Sequence, residues 1–177
     1  DRAIEHGAQK RDPRLKQIRA AILRSESQGA ADSGNYEEAI TLLQQAAELE
    51  TSDARLAKDY LRLAQLGLEL ERAPAEIARR CEAAIEFNPA LRPAYRLAGR
   101  MWDRAGKPHR AIDHYLWAFE ADRSDTRIGF RLGSLYRQTD QPWDAIAIFE
   151  RLLKHAPDHV QARVNLAERY ESVGQMR

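Results

Sequence analysis

The chain has 177 residues, of which 44% are hydrophobic and 31% charged, enough for one or two domains with a buried core. Its 28 basic and 27 acidic side chains nearly cancel, whereas nucleic-acid binders are usually strongly basic, so we expect no nucleic-acid partner. No run approaches the roughly 18 apolar residues needed to span a bilayer, so we expect no direct membrane insertion.

The predicted elements begin after a basic lead-in, residues 1–12, where the pair Asp12-Pro13 marks the start of a helix. Further along, the chain contains glycines that suit turns and prolines that suit the first turn of a helix. In chain order these are Gly34, Pro74, Gly106, Pro108, Pro142 and Gly174. Apolar residues between them recur at spacings of three and four, and no segment shows strand alternation. The sequence therefore predicts an all-α fold of helical hairpins.

Several positions recur with a period of 34 residues, which indicates a repeat array. The recurring sets are Gly99, Gly133 and Ala167; Trp102, Tyr136 and Tyr170; Ala111 and Ala145; Tyr115 and Phe149; Leu132 and Leu166. We expect the small residues where two helices approach closely, with the large aromatics filling the space beside them. The second repeat departs from this period, because Ala46 and Ala84 are 38 residues apart, which implies about four inserted residues. Leu66-Gly67 is its candidate small-residue pair.

This pattern resembles the tetratricopeptide repeat (TPR), which places an aromatic, a Leu-Gly pair and a Tyr on one helix and Ala, Phe and Pro on the next. The resemblance implies a right-handed α-solenoid of stacked helical hairpins, with about four and a half units in residues 13–177. We expect the units at about 20–53, 54–91, 92–125 and 126–159, and a half unit at 160–177.

Candidates for catalysis or metal binding are few. His109 and His114 are five residues apart, which places them on different helix faces, and His155 and His159 lie on either side of a proline. Cys81, the single cysteine, has apolar neighbours and is typical of a small core residue. There is no glycine-rich phosphate loop. We therefore expect no catalytic residues, no metal and no cofactor.

Arginine is distributed unevenly along the chain. Only five of the 28 basic residues are lysine, and residues 91–137 hold ten basic and five acidic side chains, a net charge of +5 against −4 elsewhere. Arg96, Arg100 and Arg104 recur every four residues and so form a stripe along one helix, and Arg127 and Arg131 repeat that spacing.

The TPR resemblance implies that the first helices of successive hairpins line a concave groove. Carried over to this sequence, the groove residues are Arg24, Gln28, Arg96, Arg100, Arg104, Arg127, Phe130, Arg131, Ser134, Arg137 and Gln138. Guanidinium groups can hold carboxylates bidentately, so the predicted ligand is an acidic or carboxylate-bearing segment of a partner protein. The alternative is that these arginines only form a solvated face.

The resulting hypothesis is a noncatalytic protein-interaction scaffold. The excess of arginine over lysine suggests a bacterial protein, and such arrays resemble subunits of envelope, secretion or polysaccharide-export assemblies. We expect a fragment of a longer protein with a cytoplasmic location, or tethered to the inner membrane through flanking sequence. The alternative function is an accessory TPR array of a larger enzyme such as a glycosyltransferase. A homo-oligomer stays open.

Overall fold

The structure, a computed structural model, describes residues 12–175, and within them it contains helices joined by short turns and no strand. The prediction of an all-α fold of helical hairpins is confirmed. The lead-in predicted at 1–12 lies outside the described residues except for Asp12. The helices are α1 Pro13–Asp32, α2 Tyr36–Leu49, α3 Asp53–Glu69, α4 Pro74–Phe87, α5 Arg92–Arg104, α6 Pro108–Ala121, α7 Thr126–Gln138, α8 Pro142–His155 and α9 Val160–Gln175.

Local sequence explains where these helices begin and end. Proline occupies the first turn of α1, α4, α6 and α8, where no backbone N–H is needed. The Asp12 carboxylate accepts the backbone N–H of Arg14 at 2.8 Å and so caps α1. The turn between α5 and α6 uses Gly106 with φ of 66°, and Asp140 takes the equivalent position 34 residues later with φ of 57°. The turn predicted at Gly174 is wrong, because this residue lies inside α9.

Helix lengths explain the irregular second repeat. The second helices of the hairpins, α2, α4, α6 and α8, all have 14 residues, and α5 and α7 both have 13. In contrast, α3 has 17 residues, four more than α5 and α7. The insertion inferred from the spacing of Ala46 and Ala84 is therefore one extra turn of α3.

The described chain divides into two compact units, one up to Leu91 and one from Arg92 onward. In the first unit, α1 packs on α2, α2 on α3 and α3 on α4, and in the second each helix from α5 to α9 packs on the next. The first unit buries Ala31, Ala39, Ile40, Leu43, Leu63 and Leu66 in one cluster and Ala20, Leu23 and Ala46 in another. The largest fully buried side chains of the second unit are Met101, Phe119, Leu132, Leu135, Phe149 and Leu152.

Close helix contacts occur at the repeated glycines, as the sequence predicts. A Cβ atom on Gly99 would lie 2.8 Å from the Tyr115 ring, and one on Gly133 would lie 2.6 Å from the Phe149 ring. Each glycine therefore lets an aromatic ring of the following helix rest on its backbone. Cys81 is fully buried, as expected of a small core residue. Within residues 12–175, none of the helices combines the length and the apolar character that crossing a bilayer requires.

Candidate partner-binding surface

One surface of the second unit is formed by α5, α7 and α9, the first helices of successive hairpins. Arg131 on α7 forms a bidentate pair with Asp103 on α5, at 2.5 and 2.6 Å. Arg96 on α5 contacts Asp125, the residue that caps α7, at 2.7 Å. An ion pair at 3.6 Å between Arg137 of α7 and Glu168 of α9 links the third helix to the second. We call this surface the arginine face and define it by Arg96, Arg100, Arg104, Arg127, Arg131 and Arg137.

The arginines of this face fall into two groups. All six are exposed. Three of them, Arg96, Arg131 and Arg137, have the carboxylate partners just described. Among the described residues, no hydrogen bond or ion pair joins the guanidinium groups of Arg100, Arg104 and Arg127 to a partner. The face thus combines anchored and unpaired positive charges.

The Arg131–Asp103 pair is the most firmly held of these contacts. The hydrogen bond to Asp103 raises the pKa of Arg131 above its ordinary value, and the guanidinium stays charged. Tyr115 lies behind the pair, and burial together with the charge of Asp103 raises the pKa of its hydroxyl to about 12. Tyr115 therefore remains neutral at physiological pH, and the charges of this region are those of the arginines and their carboxylates.

An apolar contact adjoins the arginine face at Phe130. This half-buried ring stacks on His159, with ring centroids 5.2 Å apart and planes at 25°, and its inner side contacts Phe149. Ser134 donates its hydroxyl to the carbonyl of Phe130 at 2.8 Å, so this hydroxyl serves its own helix. Gln138 is exposed at the end of α7.

Arg24 and Gln28, the remaining predicted groove residues, belong to the first unit and have partners there. Arg24 donates to Asp59 of α3 at 2.8 and 2.6 Å and to Glu50 at 2.8 Å. The two carboxylates are almost inaccessible, with side chains 6% and 1% exposed. Gln28 donates to Asp32 at 2.6 Å and accepts from Arg62 at 3.3 Å.

Glu50 is the centre of this cluster in the first unit, and sequence reasoning missed it. It follows α2, and its carboxylate accepts the backbone N–H groups of Thr51 and Ser52 at 2.9 and 3.0 Å. Burial raises the pKa of Glu50, but the hydrogen bonds from these N–H groups and from Arg24 outweigh it and hold the pKa below its ordinary value. The hydrogen bond to Asp59 raises the pKa of Arg24. The sequence signal that could have indicated Glu50 is an acidic residue directly after α2, beside the irregular repeat.

Two further tryptophans differ in their surroundings. Trp117 stacks on Tyr95 with centroids 3.8 Å apart and planes at 8°, whereas Trp143 is 57% exposed at the start of α8. In residues 12–175, no group of three or more His, Cys, Asp and Glu side chains is arranged to hold a metal ion.

Comparison with known sequences finds one partial relative, and no protein-family model matches the chain. The protein O-mannosyl-transferase TMTC3 of Homo sapiens is 28% identical to this chain over 119 residues. The match covers 67% of this chain and 13% of that protein, so the chain spans only a small part of its relative's length.

Comparison with solved structures finds close similarity of fold. The crystal structure of MamA aligns with a TM-score of 0.68 and 17% identity, covering 88% of this chain and 82% of the MamA chain. YrrB, a TPR protein with an unusual peptide-binding site, aligns with a TM-score of 0.69 and 19% identity. That alignment covers 86% of this chain and 76% of the YrrB chain. At such low identities the similarity establishes the fold alone.

Proposed function

We propose that this chain, which has the tetratricopeptide-repeat fold, is a noncatalytic protein-interaction scaffold that holds an acidic or carboxylate-bearing segment of a partner on its arginine face. The observation that carries the proposal is the group of three exposed guanidinium groups, Arg100, Arg104 and Arg127, that have no partner among the described residues. They lie beside three arginines that the fold already holds in place.

The two groups of arginines would have different roles. An exposed ion pair contributes about 0 to 1 kcal/mol, so the pairs of Arg96 and Arg137 leave those side chains available to a competing carboxylate. The unpaired arginines lose no existing contact when they bind, and a charge-assisted hydrogen bond contributes about 1.5 to 3 kcal/mol. Phe130 would supply an apolar contact next to them. A guanidinium can hold a carboxylate bidentately, and such contacts are stronger than neutral hydrogen bonds.

Arg24 and Gln28 have a structural role in this proposal. Both already contact side chains of the first unit, and Arg24 pairs with two carboxylates that are almost inaccessible. Removing it would leave the buried carboxylate of Asp59 without its cation. We therefore assign partner binding to the second unit. The bacterial origin, the cytoplasmic location and membership of an envelope, secretion or export assembly stay predictions from sequence.

The test is binding to an array of acidic, neutral and basic dodecapeptides by the full chain and by the double variant Arg100→Glu/Arg127→Glu. We expect the parent chain to retain acidic peptides, and the variant to lose about 100-fold or more in affinity for them, since two charge-assisted contacts become repulsive. The matched control is Lys58→Glu/Lys154→Glu, which reverses two exposed lysines on α3 and α8, helices that carry none of the arginine face. If the variant binds the same peptides as the parent, the arginine face is only solvated charge.

A second candidate function is an accessory array of a larger enzyme. The similarity to part of a protein O-mannosyl-transferase favours it, because the matched residues are a small fraction of that protein. In this case the chain would gather the substrate and a separate domain would perform the chemistry. The two functions are distinguished by the flanking sequence of the full-length protein: a glycosyltransferase domain there supports the second candidate.

A further inference from the structure

The first helix extends well beyond the hairpin that it starts. It has 20 residues, whereas α5 and α7 have 13, and the seven extra residues lie at its N-terminal end, 13–19. At a rise of 1.5 Å per residue they add about 10 Å of helix. All seven residues are exposed, and burial along α1 begins only at Ala20. This part of α1 therefore contributes little to the core of the first unit.

An apolar stripe runs along this extension and continues for one more turn. Leu15, Ile18 and Ile22 are 45%, 56% and 52% exposed, which is unusual for such large hydrophobic side chains. Their spacings of three and four residues place them on one side of the helix. The buried residues of α1 lie on the other side and are Ala20, Leu23, Ser27 and Ala31. We call the three exposed residues Leu15, Ile18 and Ile22 the α1 stripe.

Basic residues border the stripe on both sides. With 3.6 residues per turn, Arg14 and Arg19 fall on opposite sides of the α1 stripe. Lys16 lies between them in sequence. All three are exposed, and no hydrogen bond or ion pair joins their side chains to another described residue. The first acidic residue of α1 is Glu26, beyond the end of the stripe.

We propose that the α1 stripe and its bordering basic residues form a docking site for an anionic membrane surface, on which α1 lies without crossing the bilayer. An apolar stripe flanked by positive charge is the arrangement that interfacial helices use: the apolar side chains enter the headgroup region and the basic ones contact anionic lipids. The α1 stripe lies along the exposed side of a helix and not in a groove. A lipid layer can therefore contact the stripe along its whole length.

The charge pattern also selects against a second copy of this chain as the occupant. A symmetric contact between two α1 stripes would bring Arg14, Lys16 and Arg19 of both copies together, and like charges in an interface are unfavourable. This site is independent of the arginine face, since its residues lie on α1 of the first unit. The two proposals therefore succeed or fail separately.

The experiment is flotation of the full chain with two kinds of vesicle, phosphatidylcholine alone and an equal mixture of phosphatidylcholine and phosphatidylserine. We expect binding to the mixed vesicles that weakens as NaCl is raised, and little binding to phosphatidylcholine. Reversal of both bordering arginines, Arg14→Glu/Arg19→Glu, should weaken binding by at least about 30-fold. Truncation of the stripe, Leu15→Ala/Ile18→Ala/Ile22→Ala, should weaken it by at least about tenfold.

Matched controls separate this site from general charge and hydrophobicity. Lys58→Glu/Arg79→Glu changes two other exposed basic residues of the first unit, and Val160→Ala/Val164→Ala truncates two other exposed apolar residues. Both controls should bind like the parent chain, and circular dichroism should show unchanged helix content in every variant. The proposal is overturned if the parent chain does not bind the mixed vesicles, or if the stripe variants bind them as well as it does. It is also overturned if light scattering shows a parent dimer that the stripe variants dissociate.

Discussion

At the scale of single residues, the packing of the second unit depends on glycines that face aromatic rings. Gly133 accommodates Phe149, and Gly99 accommodates Tyr115. In both hairpins the aromatic residue follows its glycine by 16 positions. Phe149 is fully buried, so its ring has little room to move. A methyl group at either glycine would therefore have to displace a packed aromatic side chain.

We predict that Gly133→Ala destabilises the protein by about 1 to 3 kcal/mol, because its Cβ atom would lie 2.6 Å from the Phe149 ring. The measurement is the urea unfolding transition followed by circular dichroism. Gly29→Ala is the matched control: Gly29 is also inside a helix, but nothing lies within 4 Å of the added Cβ atom. There alanine should stabilise by about 0.5 to 1 kcal/mol. Equal stability of Gly133→Ala and the parent would contradict the close packing.

Single residues also show how far sequence reasoning extends. The period of 34 predicts the contacts of Gly99 and Gly133, because both partners of each contact recur with the repeat. It does not predict the contacts of Arg24, because Asp59 lies in the lengthened α3 and the residues that take the place of Glu50 after α4 and α6 are Asn88 and Asp122. Whether an arginine is paired or unpaired depends on carboxylates that lie about 30 residues away in sequence, as for Arg131 and Asp103.

At the scale of helices, the cluster of Arg24, Glu50 and Asp59 joins three elements of the first unit. Arg24 comes from α1, Glu50 follows α2 and Asp59 lies in the lengthened α3. Glu50 also accepts the backbone N–H groups of Thr51 and Ser52, which lead into α3. One carboxylate therefore holds both the Arg24 side chain and the main chain between α2 and α3. The cluster therefore makes the packing of the first two hairpins sensitive to pH.

The sign of this pH dependence follows from the pKa of Glu50. The folded protein holds it below the ordinary value of 4.5, so the folded state favours the charged form. The resulting stabilisation is present above about pH 4.5 and is lost as the pH falls through the pKa of the folded state. We predict that Glu50→Gln lowers the free energy of unfolding at pH 7 by about 1 to 3 kcal/mol. The difference from the parent should shrink as the pH is lowered to about 3.

Urea unfolding of both proteins at several pH values measures this effect. The control is Glu37→Gln, which removes an exposed pair with Arg72 and should change stability by at most about 1 kcal/mol. A constant difference between Glu50→Gln and the parent from pH 7 to about pH 3 would show that the charge of Glu50 does not stabilise the first unit.

At the scale of the whole molecule, the sequence predicts the fold that the structure has. For the binding surface it predicts positions, but not which arginines have carboxylate partners. The resemblance to TPR proteins is confirmed, because the period and the turn residues together specify a series of helical hairpins. The binding surface could be predicted only as a set of positions. Its division into paired and unpaired arginines depends on the contacts of α5 with α7 and of α7 with α9, which repeat spacing does not contain.

Helices that contact mainly their neighbours in sequence should also transmit destabilisation over short distances. Each helix within a unit packs on the next one. We predict that in Gly133→Ala the backbone amides of α7 and α8 lose hydrogen-exchange protection by about tenfold or more, and those of α1 and α2 much less. Glu50→Gln should show the reverse pattern, with the loss centred on α1 to α3. Native-state hydrogen exchange read by mass spectrometry measures both variants, and equal loss throughout residues 12–175 would mean that the array unfolds as a single cooperative body.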